Sequence, residues 1–291
     1  MIASYIALTK PKIIILLLIT AVGGLFLASD GIPGAIVTIS VIVGGSLAAG
    51  GANALNHYID RDIDLKMKRT SSRPVASGNV KPMHAMLYGI LLNAIAFGVL
   101  WQWANLLSAF LTLSATLFYI FVYTLGLKRR TTQNIVIGGA AGSIPPMVGW
   151  AAVTGSILDP SPIILFAIVF LWTPPHFWAL SLILKDDYAE AGVPMLPVVS
   201  GVDHTKTQIF IYTWILLGLS VVSVLLSDKL DIIYGSTSIV LSIGFIYMAW
   251  RLRKASDINL AMPTYLFSML YLALLFVTMV LESLITYEFI G

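Results

Sequence analysis

The residues best suited to chemistry lie in one short stretch, 56–73, directly after a long apolar run. It holds Asp60, Asp62 and Asp64, followed by basic residues, in a chain whose charged fraction is only 11%. Asn56, Asp60 and Asp64 are spaced by four residues, so on a helix their side chains share one face. Neighbouring carboxylates repel one another unless a cation lies between them, and a few oxygen ligands suit Mg²⁺ that also binds a substrate phosphate. We therefore predict a magnesium site on this face.

Two basic clusters accompany these aspartates. The first shares the stretch 56–73 with them, and the second begins a later polar loop, 128–134. Arginine and lysine bind phosphate oxygens, and the planar guanidinium can do so through two parallel hydrogen bonds. The alternative is that these bases only form solvated loops that orient the chain in a membrane. If they bind phosphate, the candidate residues are Lys68, Arg69, Arg73, Lys128, Arg129 and Arg130.

Two further groups lie later in the chain. His176 follows a pair of prolines within an apolar run, and an imidazole in such a run is a hint of function. The alternative is a structural histidine that hydrogen-bonds a carbonyl freed by the prolines. The second group is an acidic cluster at 186–190, in which Asp186 and Asp187 are both candidate metal ligands.

Long apolar segments must position these side chains. Hydrophobic residues make up 58% of the sequence, and runs of about 20 apolar residues are typical of membrane spans. We therefore predict an all-α membrane protein, a bundle of nine transmembrane helices that forms a single domain over residues 1–291. The predicted spans are Ile13–Ala28, Pro33–Leu55, Met83–Trp103, Leu106–Leu127, Ile135–Val153, Ile163–Leu184, Ile209–Leu226, Ile232–Trp250 and Tyr265–Ile285.

The distribution of charge predicts how these spans are oriented. With a cytoplasmic N-terminus, all of the 17 basic residues except Lys229 lie in cytoplasmic segments. Both acidic clusters then follow even-numbered spans and face the cytoplasm, which favours one shared site at that mouth of the bundle. We expect its acids to lie on the solvent side, where they contribute little to stability. The opposite loops carry Asp30, Asp159, Asp228 and Asp231.

Composition excludes some chemistry and limits the location. The absence of cysteine excludes disulfide bonds, thiolate catalysis and cysteine-ligated metal clusters. The first apolar run is longer than a signal-peptide core and eight more follow, so we expect it to be retained. No Arg- and Ser-rich transit segment precedes it, and we expect a prokaryotic inner membrane. The Gly- and Pro-rich run 137–146 predicts irregular backbone that is buried in protein or lines a cavity.

The pattern Asn56-x3-Asp60-x3-Asp64 at the end of the second span resembles the intramembrane polyprenyl transferases of the UbiA type. The resemblance covers residues 8 to about 201, and the remaining third is similar only in its pattern of spans. Thr173–Trp178 and Ala191–Pro197 resemble the branch of this family that farnesylates protohaem IX. The other similar segments are Leu8–Lys12, Met67–Thr70, Arg73–Pro74, Tyr123–Thr124, Leu127–Thr131, Asn134–Gly142, Pro145–Pro146, Gly149–Gly155 and Asp187–Tyr188.

The resemblance implies a reaction. Farnesyl diphosphate and haem B would be the substrates, haem O and diphosphate the products, and Mg²⁺ the cofactor. Asp60, Asp64 and Asp187 would act in catalysis, and His176 would bind haem, as iron ligand or as part of the wall. The resemblance implies haem A synthase or a terminal oxidase as an assembly partner. It does not imply that the protein binds nucleic acid. The implied metal ligands are Asn56, Asp60, Asp64, Asp186 and Asp187.

One departure and two alternatives remain. Quinone-making relatives carry Asp-x3-Asp as the second acidic motif, whereas this chain offers Asp186-x3-Glu190, or Asp187 with no acid four residues on. Asp187 followed by Tyr188 fits the haem branch better, so we favour Asp187 over Asp186. The first alternative function is prenylation of another acceptor, a quinone precursor or an archaeal glyceryl lipid. The second is a non-catalytic haem carrier or transporter.

Overall fold

A computed structural model describes residues 2–29 and 31–290, with side chains described as far as Ile285. Asp30, one of the acids expected opposite the cytoplasm, lies outside the described residues. The described chain is helical and contains no strand. Its helices are α1 Ile2–Thr9, α2 Pro11–Ala28, α3 Ala35–Ile59, α4 Arg61–Lys66, α5 Pro82–Trp103, α6 Leu106–Leu117, a π-helical segment Phe118–Leu127, α7 Asn134–Ser143, α8 Pro145–Thr154, α9 Pro160–Ile183, α10 Lys185–Glu190, α11 Leu196–Val199, α12 Val202–Leu226, α13 Ile232–Lys254 and α14 Ala261–Ile290.

Within the described residues, nine helical segments are long and apolar enough to cross a membrane. They are α2, α3, α5, α6 with the π-helical segment, α7 with α8, α9, α12, α13 and α14. The predicted all-α class and number of spans are thus confirmed. The largest shift in a boundary is in the seventh span, which begins at Val202 and not at Ile209.

Prolines mark several of the helix ends. A proline occupies the first turn of α2, α5, α8 and α9, where its missing N–H leaves no hydrogen bond unmade. Pro145 also divides the fifth span, because it begins α8 directly after α7 ends at Ser143. The sequence predicted irregular backbone in this Gly- and Pro-rich run, and the structure has two regular helices separated at Ile144, whose backbone stays in the helical region.

Glycines allow the closest approaches between helices. A Cβ added to Gly51 of α3 would meet the carbonyl oxygen of Gly89 on α5, and the reverse also holds. Likewise, a Cβ on Gly149 of α8 would run into the backbone of Ala21 on α2. Small residues permit such backbone contact in lipid, where apolar burial does not drive helices together. These two contacts fix α3 against α5 and α8 against α2.

The acidic segments meet at one end of the bundle, which we call the polar end and define by α4, α10 and the loop at 128–134. Here Ile63 and Met67, from α4 and the turn after it, pack against Tyr188, Val193 and Met195 from the region of α10. This small apolar cluster joins the two acidic segments, which are far apart in sequence. Both therefore border the same space.

Candidate active site

A cavity of about 450 Å³ extends from the polar end into the bundle. This volume lies in the range of about 300–1,000 Å³ that is typical of ligand sites. Its lining is charged or polar near the polar end and apolar and aromatic along the spans. The polar lining comprises Lys10, Asn53, Asn56, Asp64, Arg69, Thr70, Arg73 and Lys128 together with Thr20, Thr112, Thr116 and Thr173, and the aromatic lining comprises Tyr119, Tyr123, Trp172, His176, Phe177, Tyr188 and Tyr265.

The first acidic motif assembles across a bend in the chain. Because α3 ends at Ile59 and Asp60 is the N-cap of α4, the motif does not lie on one continuous helix. Asn56 and Asp60 still meet, since Asn56 Nδ2 donates to Asp60 Oδ2 at 2.6 Å. Asp60 is 0% exposed and Asp64 is 2% exposed. The expectation that these acids lie on the solvent side was wrong, because both are buried and in contact with the side chains of Lys128 and Arg73.

Each buried aspartate pairs with a base. Lys128 Nζ lies 2.5 Å from Asp60 Oδ2, and Arg73 Nη1 lies 2.8 Å from Asp64 Oδ1. The other two carboxylate oxygens, Asp60 Oδ1 and Asp64 Oδ2, are buried without a hydrogen-bond partner among the described residues. Arg129 lies 3.6 Å from Asp60 Oδ1, which is too far for a hydrogen bond. Buried unpaired oxygens are costly, so a cation between them would remove a real penalty.

The donor set is suited to Mg²⁺, although in the described part of the chain no three His, Asp or Glu side chains already converge as a metal cluster. Two aspartate oxygens and the amide of Asn56 are the hard, oxygen-bearing groups that this ion prefers. Such a site would leave coordination positions for substrate phosphate. The suitability of this site for Mg²⁺ therefore depends on the side chains of Asn56, Asp60 and Asp64.

The second acidic cluster reaches this region through Asp187. Its carboxylate lies 3.4 Å from the backbone N of Arg69, which donates to it. Asp187 is half-buried, whereas Asp186 is exposed. The structure thus brings Asp187 to the segment that carries Arg69, and neither acid lines the cavity. A role in metal binding stays a prediction for both.

The six predicted diphosphate-binding residues fall into two groups. Arg69, Arg73 and Lys128 line the cavity, and the other three do not. Arg129 forms two hydrogen bonds of 2.7 Å with the exposed carboxylate of Asp62. This guanidinium lowers the pKa of Asp62 below its ordinary value. The remaining two residues of the second group, Lys68 and Arg130, are exposed.

Lys10 is a site residue that was not predicted from the sequence, although it counts among the cytoplasmic bases and lies within the similar segment Leu8–Lys12. Its Nζ donates to Asn56 Oδ1 at 3.2 Å, and it lines the cavity. Burial and the charges of Arg73 and Lys128 lower the pKa of Lys10 to about 7. Its φ of 52° is the only positive value for a non-glycine residue in the described chain, a strained conformation that often marks functional sites. The available signal was a basic residue directly before Pro11.

The π-helical segment carries two aromatic residues of the cavity wall. Tyr119 and Tyr123 stack on each other with ring centroids 5.5 Å apart. At the end of the segment, Lys128 N donates to Tyr123 O, a hydrogen bond that spans five residues. The side chain of the same Lys128 contacts Asp60. Because π-helices are rare and are frequently found at functional sites, this segment supports a specialised role for the fourth span.

His176 lies within α9, as predicted, and lines the cavity. Its Nδ1 is 2.7 Å from Ser268 Oγ on α14. Its ring stacks between Trp172 and Tyr265, with centroid distances of 4.1 and 4.8 Å. Its partner is therefore a serine hydroxyl and not a carbonyl freed by the prolines. Its role in binding haem stays a prediction.

The fold has solved counterparts. A structure of digeranylgeranylglyceryl phosphate synthase aligns with a TM-score of 0.77 and 18% identity, covering 97% of this chain and 98% of that one. A UbiA homologue from Archaeoglobus fulgidus, bound to DMAPP and Mg²⁺, aligns with a TM-score of 0.75 and 17% identity, covering 95% and 99%. Identities this low establish the fold and leave the reaction open.

Closer relatives exist in sequence. A protein of Synechocystis sp. named protoheme IX farnesyltransferase is 48% identical, over 99% of this chain and 92% of the relative. A protein of the same name from Picosynechococcus sp. is 50% identical, over 97% of this chain and 89% of the relative. Residues 17–275 match the model of the UbiA prenyltransferase family. With this match over most of its length and relatives that are 48–50% identical, the chain belongs to the UbiA prenyltransferase family.

Proposed function

We propose that this protein transfers the farnesyl group of farnesyl diphosphate to a vinyl group of haem B, with addition of water, giving haem O and diphosphate. The observation that carries this proposal is the identity of 48–50% with proteins named protoheme IX farnesyltransferase, over nearly their whole length. The site is consistent with it. One cavity combines charged groups suited to a diphosphate with a long apolar and aromatic wall suited to the rest of both substrates.

Mg²⁺ is the cofactor we propose. Asn56, Asp60 and Asp64 would hold it, with Asp187 as a further ligand, and two unpaired buried oxygens among them support this choice. When bound, the ion neutralises the charge that develops on the diphosphate as its bond to farnesyl breaks. The Archaeoglobus homologue of the same fold binds DMAPP together with Mg²⁺.

The bases of the cavity would bind the diphosphate. Arg69, Arg73 and Lys128 line the cavity that Asp64 also borders, and Lys10 donates to Asn56. Arg73 and Lys128 pair with Asp64 and Asp60 in this structure, so they neutralise the acids and are already in place for the anion. Preorganised cations of this kind stabilise a leaving anion without having to move during the reaction.

The aromatic wall would stabilise the farnesyl cation. Ring faces attract cations through their quadrupole, and Tyr119 and Tyr123 border the cavity in the same helical segment that leads to Lys128. The wall also limits the access of water, which would quench this cation before it reaches the acceptor. The electron pair of the haem vinyl group then attacks it and forms the new carbon–carbon bond.

We also propose a membrane orientation and a partner. The excess of basic residues at the polar end favours an active site on the cytoplasmic side of a prokaryotic inner membrane. Haem O keeps a farnesyl chain and is therefore retained in the lipid. Haem A synthase, or an oxidase under assembly, could receive it there without release into water.

The test is incubation of the detergent-purified protein with haem B, farnesyl diphosphate and Mg²⁺, with products identified by mass. Haem O and an equal amount of diphosphate are expected, and EDTA should stop both until excess Mg²⁺ is added. Hydroxybenzoate, naphthoate and a glyceryl lipid phosphate serve as control acceptors. Prenylation of one of them instead of haem would overturn the acceptor, and haem binding without diphosphate release would favour a carrier.

A further inference from the structure

Contacts with α14 select one tautomer of the neutral His176 side chain. Ser268 Oγ donates its hydrogen to Tyr265 O at 2.6 Å, so it must accept from His176 at the 2.7 Å contact with Nδ1. The hydrogen of the neutral imidazole therefore lies on Nδ1, and Nε2 carries a lone pair. Among the described residues, the side-chain hydrogen bond of this imidazole is the one through Nδ1, and His176 lines the cavity. This arrangement leaves a base with its lone pair available.

The two ring faces of His176 are also covered. Trp172 lies on one face with an interplanar angle of 20°, and Tyr265 lies on the other with an angle of 27°. Trp172 is fixed in turn, because its Nε1 donates to Ser268 O at 2.7 Å. Ser268 thus positions both rings through its hydroxyl and its carbonyl. Only the edge that carries Nε2 is available to another molecule.

We propose that His176 Nε2 is the base that takes a proton from the water added to haem, and that Ser268 is the residue that positions it. This inference rests on the proposed function, because that reaction consumes one water. His176 is suited to this task because Asp64, the carboxylate that lines the cavity, is paired with Arg73, and Lys10 donates to Asn56. In the described cavity lining, no other histidine and no glutamate is present.

The step balances as follows. The diphosphate leaves with the electron pair of its bond to farnesyl, and the vinyl electron pair forms the carbon–carbon bond. The positive charge then lies on the vinyl carbon next to the porphyrin ring. A lone pair of water forms the carbon–oxygen bond there, and one water proton passes to Nε2. The imidazolium afterwards gives this proton to the released diphosphate, so no other reactant is needed.

The ring stack favours this role over iron ligation. An iron ligand needs the porphyrin plane to lie across the Nε2 edge, with the iron in bonding contact with the nitrogen. The indole of Trp172 and the phenol of Tyr265, at 4.1 and 4.8 Å on either side, would then face the porphyrin with their edges. A water molecule needs only the edge itself. A base also avoids a bond to iron that would have to break before each product leaves.

The experiment compares products of His176→Phe with those of the wild type. Phenylalanine keeps a flat ring between Trp172 and Tyr265 and removes both nitrogens. Without the base, we expect the vinyl-derived cation to lose a proton from its own carbon chain, giving a farnesylated haem that is lighter than haem O by one water. The share of haem O among farnesylated products should fall at least about tenfold, since general bases contribute factors of that size or more.

Two further measurements separate a base from a structural role. Imidazole added to His176→Ala should restore part of the haem O share, which packing alone would not do. Ser268→Ala should lower the haem O share, because Nδ1 loses its acceptor and Nε2 can carry the hydrogen. Ser268→Thr retains the hydroxyl and should restore most of the haem O share that Ser268→Ala loses.

The outcomes are distinct. If His176→Phe gives haem O in the wild-type share, the base is elsewhere and the inference fails. If that variant binds no haem by its visible spectrum and releases no diphosphate, His176 is a binding residue and the inference also fails. If the wild type itself makes no haem O, the proposed function fails first, whatever the variants do.

Discussion

At the scale of single residues, the site is a balance of buried charges. Asp60 and Asp64 pair with Lys128 and Arg73, yet each keeps one buried oxygen without a hydrogen bond. Breaking a buried ion pair costs more than its formation gains, because a lone charge remains in the interior. The pairs therefore offset part of the negative charge of the two acids, and their remaining oxygens stay available to a metal ion.

The first prediction tests the two buried acids. Asp60→Asn and Asp64→Asn should each lower turnover by roughly 100-fold or more, the scale on which enzymes slow when one electrostatic partner of the transition state is lost. Asp62→Asn is the matched control, because Asp62 is exposed and pairs with Arg129 at the surface. Turnover is measured as haem O formed at several Mg²⁺ concentrations.

Both buried variants leave a base without its partner, so folding must be measured beside turnover. Thermal unfolding in detergent should show some loss of stability, with a cooperative transition retained. Near-full activity of either variant at limiting Mg²⁺ would remove that acid from the metal site. If Asp62→Asn lowers turnover as much as the two buried variants do, turnover depends on the total charge of the polar end and not on Asp60 and Asp64 in particular.

The second prediction concerns Lys10. Lys10→Met should raise the KM for farnesyl diphosphate about tenfold, since a charge-assisted hydrogen bond of about 1.5–3 kcal/mol is lost. The KM for haem should change little, because Lys10 contacts Asn56 beside the aspartates and not the aromatic wall. Lys12→Met is the control, since Lys12 is exposed two residues away. Equal rises in both KM values would indicate that Lys10 acts through the fold of the polar end.

Residue spacing predicted part of this site and could not predict the rest. The four-residue spacing of Asn56, Asp60 and Asp64 is local, and it is sufficient to bring them together even though the helix bends at Asp60. Ser268 lies 92 residues from its partner His176, and only the packing of α14 against α9 brings the two together. The strained backbone of Lys10 is likewise set by tertiary contacts. Single-sequence patterns carry no signal for such pairs.

At the scale of elements, irregular helices shape the cavity. Two irregular places border it: the break between α7 and α8, and the π-helical segment. Each of them exposes backbone or turns side chains away from regular α positions. The break was predictable because glycine and proline weaken a regular helix. The π-helical segment was not, because Phe118–Leu127 has the composition of an ordinary apolar span. Its bonding pattern follows from contacts with neighbouring helices.

The third prediction tests a helix contact that supports the cavity wall. Gly149→Ala should lower the free energy of unfolding by about 1–3 kcal/mol, the usual cost of overpacking, because the new Cβ meets the backbone of α2. Gly98→Ala is the control, since a Cβ there meets no atom within 4 Å. Unfolding is followed by loss of helical circular dichroism in detergent as denaturant is added. Equal stability of the two variants would show that α8 can shift away from α2 at no cost.

At the scale of the whole molecule, the charges and the cavity form one gradient. Charged side chains lie at the polar end, and the cavity continues along the spans between apolar and aromatic side chains. A substrate with a diphosphate head and a hydrocarbon tail matches this gradient in orientation. The same asymmetry argues against a transporter, whose binding site is commonly near the middle of the bilayer and accessible from both sides in turn.

The last prediction tests which compartment the polar end faces. Basic loops remain in the cytoplasm during insertion, so the polar end should be cytoplasmic and the loop between α8 and α9 should lie on the other side. The chain contains no cysteine, which allows single cysteines to be placed without background labelling. Ser72→Cys lies in the exposed loop after α4, and Leu158→Cys replaces a side chain that is 92% exposed. In intact spheroplasts, a membrane-impermeant maleimide should label only Leu158→Cys, and in inverted vesicles only Ser72→Cys.

Both variants should keep wild-type activity, because neither position borders the cavity. The reverse labelling pattern would place the active site on the outer side, and farnesyl diphosphate would then have to cross the membrane to reach it.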